Sequence, residues 1–173
     1  LDRPLDPVAN NTVAPPPLRV VLFQSQASNL WPGSNGASQL FLRDLERNTT
    51  ILVSANVRGE PGNADSICGS VSADGRFVAF QSYATDLAPG THQTDIRNVY
   101  VRDLVSQTTV RISVGVNGTQ PDGRSDNPSI DARGDYVVFQ SQATNLVPGD
   151  SNHESDIFMF DRRNSSISRI TLG

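Results

Sequence analysis

One stretch of this chain occurs three times, and that repetition limits the possible folds more than any other property. RVVLFQSQASNLWPG at residues 19–33 returns as RFVAFQSYATDLAPG at 76–90 and as DYVVFQSQATNLVPG at 135–149, which puts Phe23, Phe80 and Phe139 57 and 59 residues apart. Behind each Pro-Gly comes a second shared segment: QLFLRDLERNTTILVS at 39–54, NVYVRDLVSQTTVRIS at 98–113 and DIFMFDRRNSSISRIT at 156–171. Ahead of the Phe-Gln-Ser run, SICGSVSADG at 66–75 matches NPSIDARG at 127–134. Three copies of a unit about 58 residues long fill nearly the whole chain. A fixed period of this size means one supersecondary unit that buries its apolar face by stacking on copies of itself.

Alternation and turn residues divide each unit into four strands. The first surrounds Val71 or Ile130 and ends in Ala73-Asp74-Gly75 or Ala132-Arg133-Gly134, which reads as a two-residue hairpin because Gly supplies the positive φ such a turn needs. The second is the apolar run Val20 to Phe23, Phe77 to Phe80 or Tyr136 to Phe139, suited to burial on both faces. A long loop through Pro-Gly leads to the third strand, and an Asp-containing turn opens the fourth, which ends near Val53, Ile112 or Ile170.

Repeated four-stranded antiparallel units are the signature of propeller blades. The expected fold is all-β: three four-stranded antiparallel blades forming a partial β-propeller, with an extended Pro-rich N-terminal arm. The boundaries expected are 1–18 for the arm, 19–56, 57–115 and 116–173 for the blades. Residues 8–14 are either a degenerate first strand or part of a polyproline arm, since Pro15, Pro16 and Pro17 withhold three donors from any ladder.

The pattern S-x-D-G-R-[FY]-V-x-F, then QS-x-AT-x-L-x-PG, then a V-R-D strand resembles the TolB-like, WD40-like propeller repeats of bacterial envelope and secreted proteins. The resemblance covers residues 60 to 173 best. It implies a periplasmic or extracellular location and binding to other envelope or extracellular proteins or glycans. It is weak for function, because propellers host many unrelated roles.

Composition narrows the classes. At 36% hydrophobic and 18% charged residues the chain is too apolar for a disordered tail. No run approaches 18 apolar residues, so membrane insertion is not expected. Net charge is -4, and all 14 basic residues are scattered Arg, without the basic stripe of a nucleic-acid binder. Cys68 is the single cysteine, which excludes an intrachain disulfide and reads as small core filler. The chain begins at Leu1 with no charged or apolar leader, as a processed or excised segment would.

Several residues invite a functional reading. Asp150, Asn152, Glu154 and Asp156 place oxygens at alternate loop positions, with Asp161 at the twelfth, a candidate Ca²⁺ set; Ser155 stands where an EF-hand requires Gly. No other cofactor is required. Asn10, Asn48, Asn117 and Asn164 head N-x-[ST] sequons and are candidate glycosylation sites. The Gln24-Ser25, Gln81-Ser82 and Gln140-Ser141 pairs repeat with the fold and read as loop anchors, as do Asp44, Asp103 and Asp161 in their turns. His92 and His153 lie in variable loops without a serine partner, so no catalytic residue is expected. Trp31 occurs in one copy only, as loop filler or as a stacking platform for sugar.

A closed propeller typically takes 4–8 blades. Three leave apolar blade faces to be covered, so the chain is expected to associate with other copies of itself, as a closed ring or as a filament, with residues 1–17 as an intersubunit strap. The leading expectation is a self-assembling structural or interaction scaffold. A ligand- or protein-binding fragment of a longer envelope propeller is the alternative, and a propeller glycosidase or lyase a third.

Overall fold

The computed structural model describes residues 19–90, 95–152 and 154–171, and its strands follow the repeat. Among these residues eleven strands form three antiparallel sheets. The first sheet holds β1 (Val20–Ser25), β2 (Gln39–Asp44) and β3 (Thr49–Leu52). The second runs β4 (Ser66–Val71), β5 (Phe77–Ser82), β6 (Asn98–Asp103) and β7 (Thr108–Arg111), and the third β8 (Ser125–Ile130), β9 (Tyr136–Ser141), β10 (Asp156–Asp161) and β11 (Ser166–Arg169). Each sheet is a meander in chain order. The only helical piece among the described residues is a single 3₁₀ turn, Val116–Gly118. The all-β blade architecture is therefore as expected, except that the first sheet has three described strands; the arm and the strand expected at residues 8–14 lie outside the described residues.

The sheets stack in order, and their apolar faces interlock. Val20, Leu22, Leu40, Leu42 and Val53 of the first unit pack on Val78, Phe80 and Tyr100 of the second. Phe77, Ala79, Val99, Val101 and Ile112 on the other face of the second pack on Ile130, Val137, Phe139, Phe158 and Phe160 of the third. We call the face that meets the preceding sheet the leading face and the other the trailing face. Each leading face carries one stacked aromatic pair at a cross-strand register position: Phe23–Phe41 at 5.6 Å, Phe80–Tyr100 at 5.8 Å and Phe139–Phe158 at 5.9 Å. A leucine from the Pro-Gly loop, Leu30, Leu87 or Leu146, packs into the same cluster. Packing between sheets is concentrated on the first strands β4 and β8, and the outer strands stand further apart, so the sheets fan out as blades do about an axis.

Near that axis the blades exchange backbone hydrogen bonds at repeat-equivalent places. Ser66 N donates to Ser38 O at 2.8 Å and Ser125 N to Arg97 O at 2.8 Å, while Ala73 N donates to Ala132 O at 2.9 Å. Further out, the Arg162 guanidinium lies 3.6 Å from the ring centre of Phe77, tying the third blade to the second.

Three sequence expectations need correction. Burial on both faces holds only for β5, all six of whose residues are buried; β1 leaves Val21 and Gln24 exposed and β9 leaves Val138 exposed, and among the described residues only the middle sheet has a neighbour on each side. The Asp-Gly turn is four residues long, not two: Ser72 N pairs with Phe77 O at 2.9 Å, Gly75 N returns to Ser72 O at 2.9 Å, and Asp131 N pairs with Tyr136 O at 3.0 Å in the third sheet. Gly75 and Gly134 take the positive φ at the end of that turn, 71° and 75°. Cys68 is not core filler. It is exposed, at φ 45°, in the bulge that shifts the β4–β5 register between Ile67 and Gly69. Asn127 fills the equivalent bulge of β8 at φ 53°.

Candidate functional site

The acidic loop is built on the start of β10. Asp156 accepts hydrogen bonds from Thr171 Oγ1 and, at 3.1 Å, from Asn152 Nδ2, and Arg169 Nη1 lies 3.6 Å from it and 3.0 Å from Asp150 Oδ1. Thr171, with Asn152 and Arg169 behind it, holds the Asp156 carboxyl below the usual carboxylate range. The repeat explains the arrangement. In the first unit Ser54 Oγ donates to Gln39 Oε1 at 2.6 Å and accepts from Leu40 N at 3.0 Å; in the second Ser113 Oγ donates to Asn98 Oδ1 at 3.0 Å and accepts from Val99 N at 3.0 Å. Asp156, Thr171 and Ile157 N form the third copy of this latch, which closes the end of the fourth strand onto the start of the third.

The candidate Ca²⁺ set is only partly brought together. Asp150 and Asp156 converge, but on the Arg169 cation, and Asn152 donates to Asp156. Glu154 is exposed, and its backbone N–H donates to Asn152 Oδ1 at 3.0 Å. Asp161 ends the six-residue β10 that Asp156 begins, and an extended strand advances about 3.3 Å per residue, so the two carboxylates stand at opposite ends of the sheet. Among the described residues no three His, Cys, Asp or Glu side chains are grouped to hold a metal ion. His153 lies outside the described residues.

Asp44, Asp103 and Asp161 each cap the turn that follows. Asp44 accepts from Glu46 N and Arg47 N at 2.9 Å, Asp103 from Val105 N at 2.9 Å, and Asp161 from Arg163 N at 3.0 Å. Each also meets an arginine, Arg47, Arg76 or Arg163, at 2.8, 2.8 and 2.7 Å. For Asp103 the forked Arg76 pairing is the main cause of a pKa well below the ordinary value. Carboxylates held ionised in this way are poor general acids at neutral pH. The repeated serines are likewise engaged: Ser82 Oγ accepts from Ala84 N at 2.9 Å and donates to Asp65 O at 3.0 Å, and Ser141 Oγ does the same with Ala143 N and Arg124 O. Ser25 Oγ accepts from Ala27 N at 3.1 Å. His92 lies outside the described residues.

Of the sequons, Asn48 and Asn164 are exposed in the turn between the third and fourth strands, and Asn117 is exposed on the 3₁₀ turn. Asn10 lies outside the described residues. Trp31 packs with Leu30 and Phe23 on the first sheet's leading cluster and is partly buried.

The two faces at the ends of the stack differ. On the first sheet's leading face Phe41 and Leu52 are buried under Leu30 and Trp31. On the third sheet's trailing face the positions equivalent to Ala79, Val99 and Ile112 are Val138, Ile157 and Ile170, which are 39%, 36% and 50% exposed, whereas their counterparts in the second sheet are 0–1% exposed. Tyr136 and Met159 complete this open face.

No family model matches the chain, and no curated protein does. Solved structures do. A TolB-assigned protein from Agrobacterium tumefaciens aligns with a TM-score of 0.56 at 19% identity over 89% of this chain and 43% of its own. TolB from Acinetobacter baumannii aligns with a TM-score of 0.51 at 18% identity over 88% of this chain and 29% of its own. The fold is that of a TolB-type propeller. This chain thus spans less than half the length of the TolB structures it matches.

Reading the sequence alone missed the latch that accounts for Asp156 in this TolB-type blade, although the signal is present as three aligned pairs: Gln39/Ser54, Asn98/Ser113 and Asp156/Thr171. A second signal is an exchange. Asn63 N donates to Asp86 Oδ1 at 3.0 Å while Thr85 N donates to Asn63 Oδ1 at 2.9 Å; in the third blade Asp122 and Asn145 do the same with acid and amide swapped. Such a swap marks two columns of the repeat that touch.

Proposed function

We propose that this chain is a non-catalytic propeller-blade protein of the cell envelope or extracellular space, which assembles with further copies of itself into a scaffold. One observation carries the reading: five apolar positions covered by the next blade in the first and second sheets are left open in the third, at Tyr136, Val138, Ile157, Met159 and Ile170. A propeller blade covers such a face with the leading face of another blade. Head-to-tail contacts of this kind close into rings or run on as filaments according to the rotation per step. The location rests on the likeness of the repeat to envelope propellers. The absence of catalysis is supported by the engagement of Asp44, Asp103, Asp161, Ser82 and Ser141 in the turns and loops of the blades. Sedimentation and electron microscopy of the purified chain test the proposal. Particles several times larger than 18.7 kDa are expected, and a monodisperse species of 18.7 kDa overturns it.

A second reading has a specific observation behind it. The matched TolB structures are more than twice as long as the aligned segment, so the open face also suits the next blade of a longer ligand- or protein-binding propeller. Assembly of the isolated chain without any added partner separates the two. If the host glycosylates exported chains, Asn48, Asn117 and Asn164 are exposed and are the positions to carry sugar; peptide mass spectrometry reads this directly.

A further inference from the structure

A buried cation at the outer rim, away from the open blade face, is unexplained by the fold. Arg102 on β6 is 6% exposed. Its Nη1 donates to Thr109 Oγ1 at 3.1 Å, its Nε is buried with no hydrogen-bond partner, and among the described residues no carboxylate forms an ion pair with it. The neighbouring Asp103 is clamped by Arg76 instead. A guanidinium taken out of water without a counter-ion is costly, and its burial lowers its pKa.

The repeat shows that this is not a general need of the blade. The equivalent Arg43 makes the same bond to Thr50 at 3.0 Å but also donates to Asn48, and it is only partly buried. The second unit replaces that asparagine with Gln107, and the third replaces the arginine with Phe160. Only in the second blade does the first blade's rim close over the cation, with Thr109 Oγ1 reaching Ala55 O at 3.4 Å. What results is a groove of about 330 Å³, with Arg102 and Gln107 on its polar side and Val57, Leu87, Pro89 and Val110 as its apolar wall. Val57 and Val110 are 65% and 55% exposed at its mouth.

We propose that this groove binds a small monocarboxylate with a short apolar tail, its carboxylate paired with Arg102 and its tail against Val57, Leu87 and Val110. A carboxylate matches the planar fork of a guanidinium, and a single cation in the lining suits one negative charge better than a phosphate's two. The volume suits a body of a few carbons, at the small end of ligand sites.

The test is a titration of the full chain with hexanoate, followed by calorimetry and by methyl shifts of Val57, Leu87 and Val110. Acetate supplies the charge without the tail, and hexanol the tail without the charge. Saturable hexanoate binding is expected, with both controls weaker by about tenfold or more, as loss of a charge-assisted contact or of the buried tail implies. Arg102→Gln is expected to weaken hexanoate by a similar factor. Gln107→Glu, on an exposed turn residue, retains Arg102 and offers it an internal carboxylate, and is expected to compete and weaken binding as well. Hexanol binding as tightly as hexanoate, an unchanged affinity in Arg102→Gln with the fold intact, or no saturable binding at all overturns the proposal. None of these outcomes depends on whether the chain assembles.

Discussion

Single hydroxyl groups hold each blade shut. Ser54, Ser113 and Thr171 each satisfy a backbone N–H at the start of the third strand and donate to the side chain one residue before it. Ser113→Ala leaves the Val99 N–H buried and unpaired, so a loss of about 1–3 kcal/mol is expected, read from urea unfolding at neutral pH. The turn carboxylates set the acid response. Arg76, foremost among its partners, lowers the folded pKa of Asp103 below that of the unfolded chain, so between the two values the unfolded state binds more protons and stability rises with pH. That contribution is complete above about pH 5, well clear of the unfolded value, and is lost as pH falls toward and through the folded value. Asp103→Asn is therefore expected to flatten the fall in urea midpoint between about pH 5 and pH 2; an unchanged slope would show that Arg76 does nothing for stability. At the acidic loop, Arg169 already sits against Asp150 and Asp156. Calorimetric titration with Ca²⁺ is expected to give no saturable heat, and a stoichiometric heat would restore these residues as ligands.

At the scale of the element, the four-residue turn between first and second strands also serves the contact between blades. Gly134 has φ 75°, and a Cβ there would overlap the Phe77 ring of the preceding blade. Gly149 has φ 78° and open space around its missing Cβ. Gly149→Ala is expected to cost about 1 kcal/mol from backbone strain alone. Gly134→Ala should cost a further 1–3 kcal/mol or so from overpacking, and equal losses in thermal unfolding would mean that the turn does not bear on Phe77. The elements were readable because alternation and Asp-Gly punctuation are local: strands two, three and four fall where Phe23, Phe80 and Phe139 and their partners put them. The turn length was not readable, since Gly closes two-residue and four-residue turns alike. Neither was the bulge, because nothing in Cys68 announces a positive φ and only its alignment with Asn127 hints at one. The acidic loop was legible only in part, for a related reason. Alternate oxygens in sequence suggest convergence on an ion, but β10 is extended and carries Asp161 away from Asp156, while the cation that Asp156 meets comes from β11.

Across the whole molecule, one structural position is covered in two copies of the unit and open in the third. Val99 is fully buried between two blades, and its counterpart Ile157 is 36% exposed on the last. Val99→Glu buries an unpaired charge and is expected to prevent folding. Val138→Glu with Ile157→Glu should leave the circular dichroism and melting of the single chain nearly unchanged while reducing assembled particles to 18.7 kDa monomers, measured by sedimentation. Unaltered particles in the double variant would place the contact elsewhere. The repeat foretold the stacking; which sheet is the sheltered one follows from order in the stack and cannot be read from any single unit. That order has a further consequence for how the molecule breathes. Because β5 alone is enclosed along its entire length, its amides can meet solvent only when the neighbouring blades have let go. Deuterium uptake should thus rise outward from Phe77–Ser82 toward both flanking sheets, a gradient of protection centred on the middle of the chain.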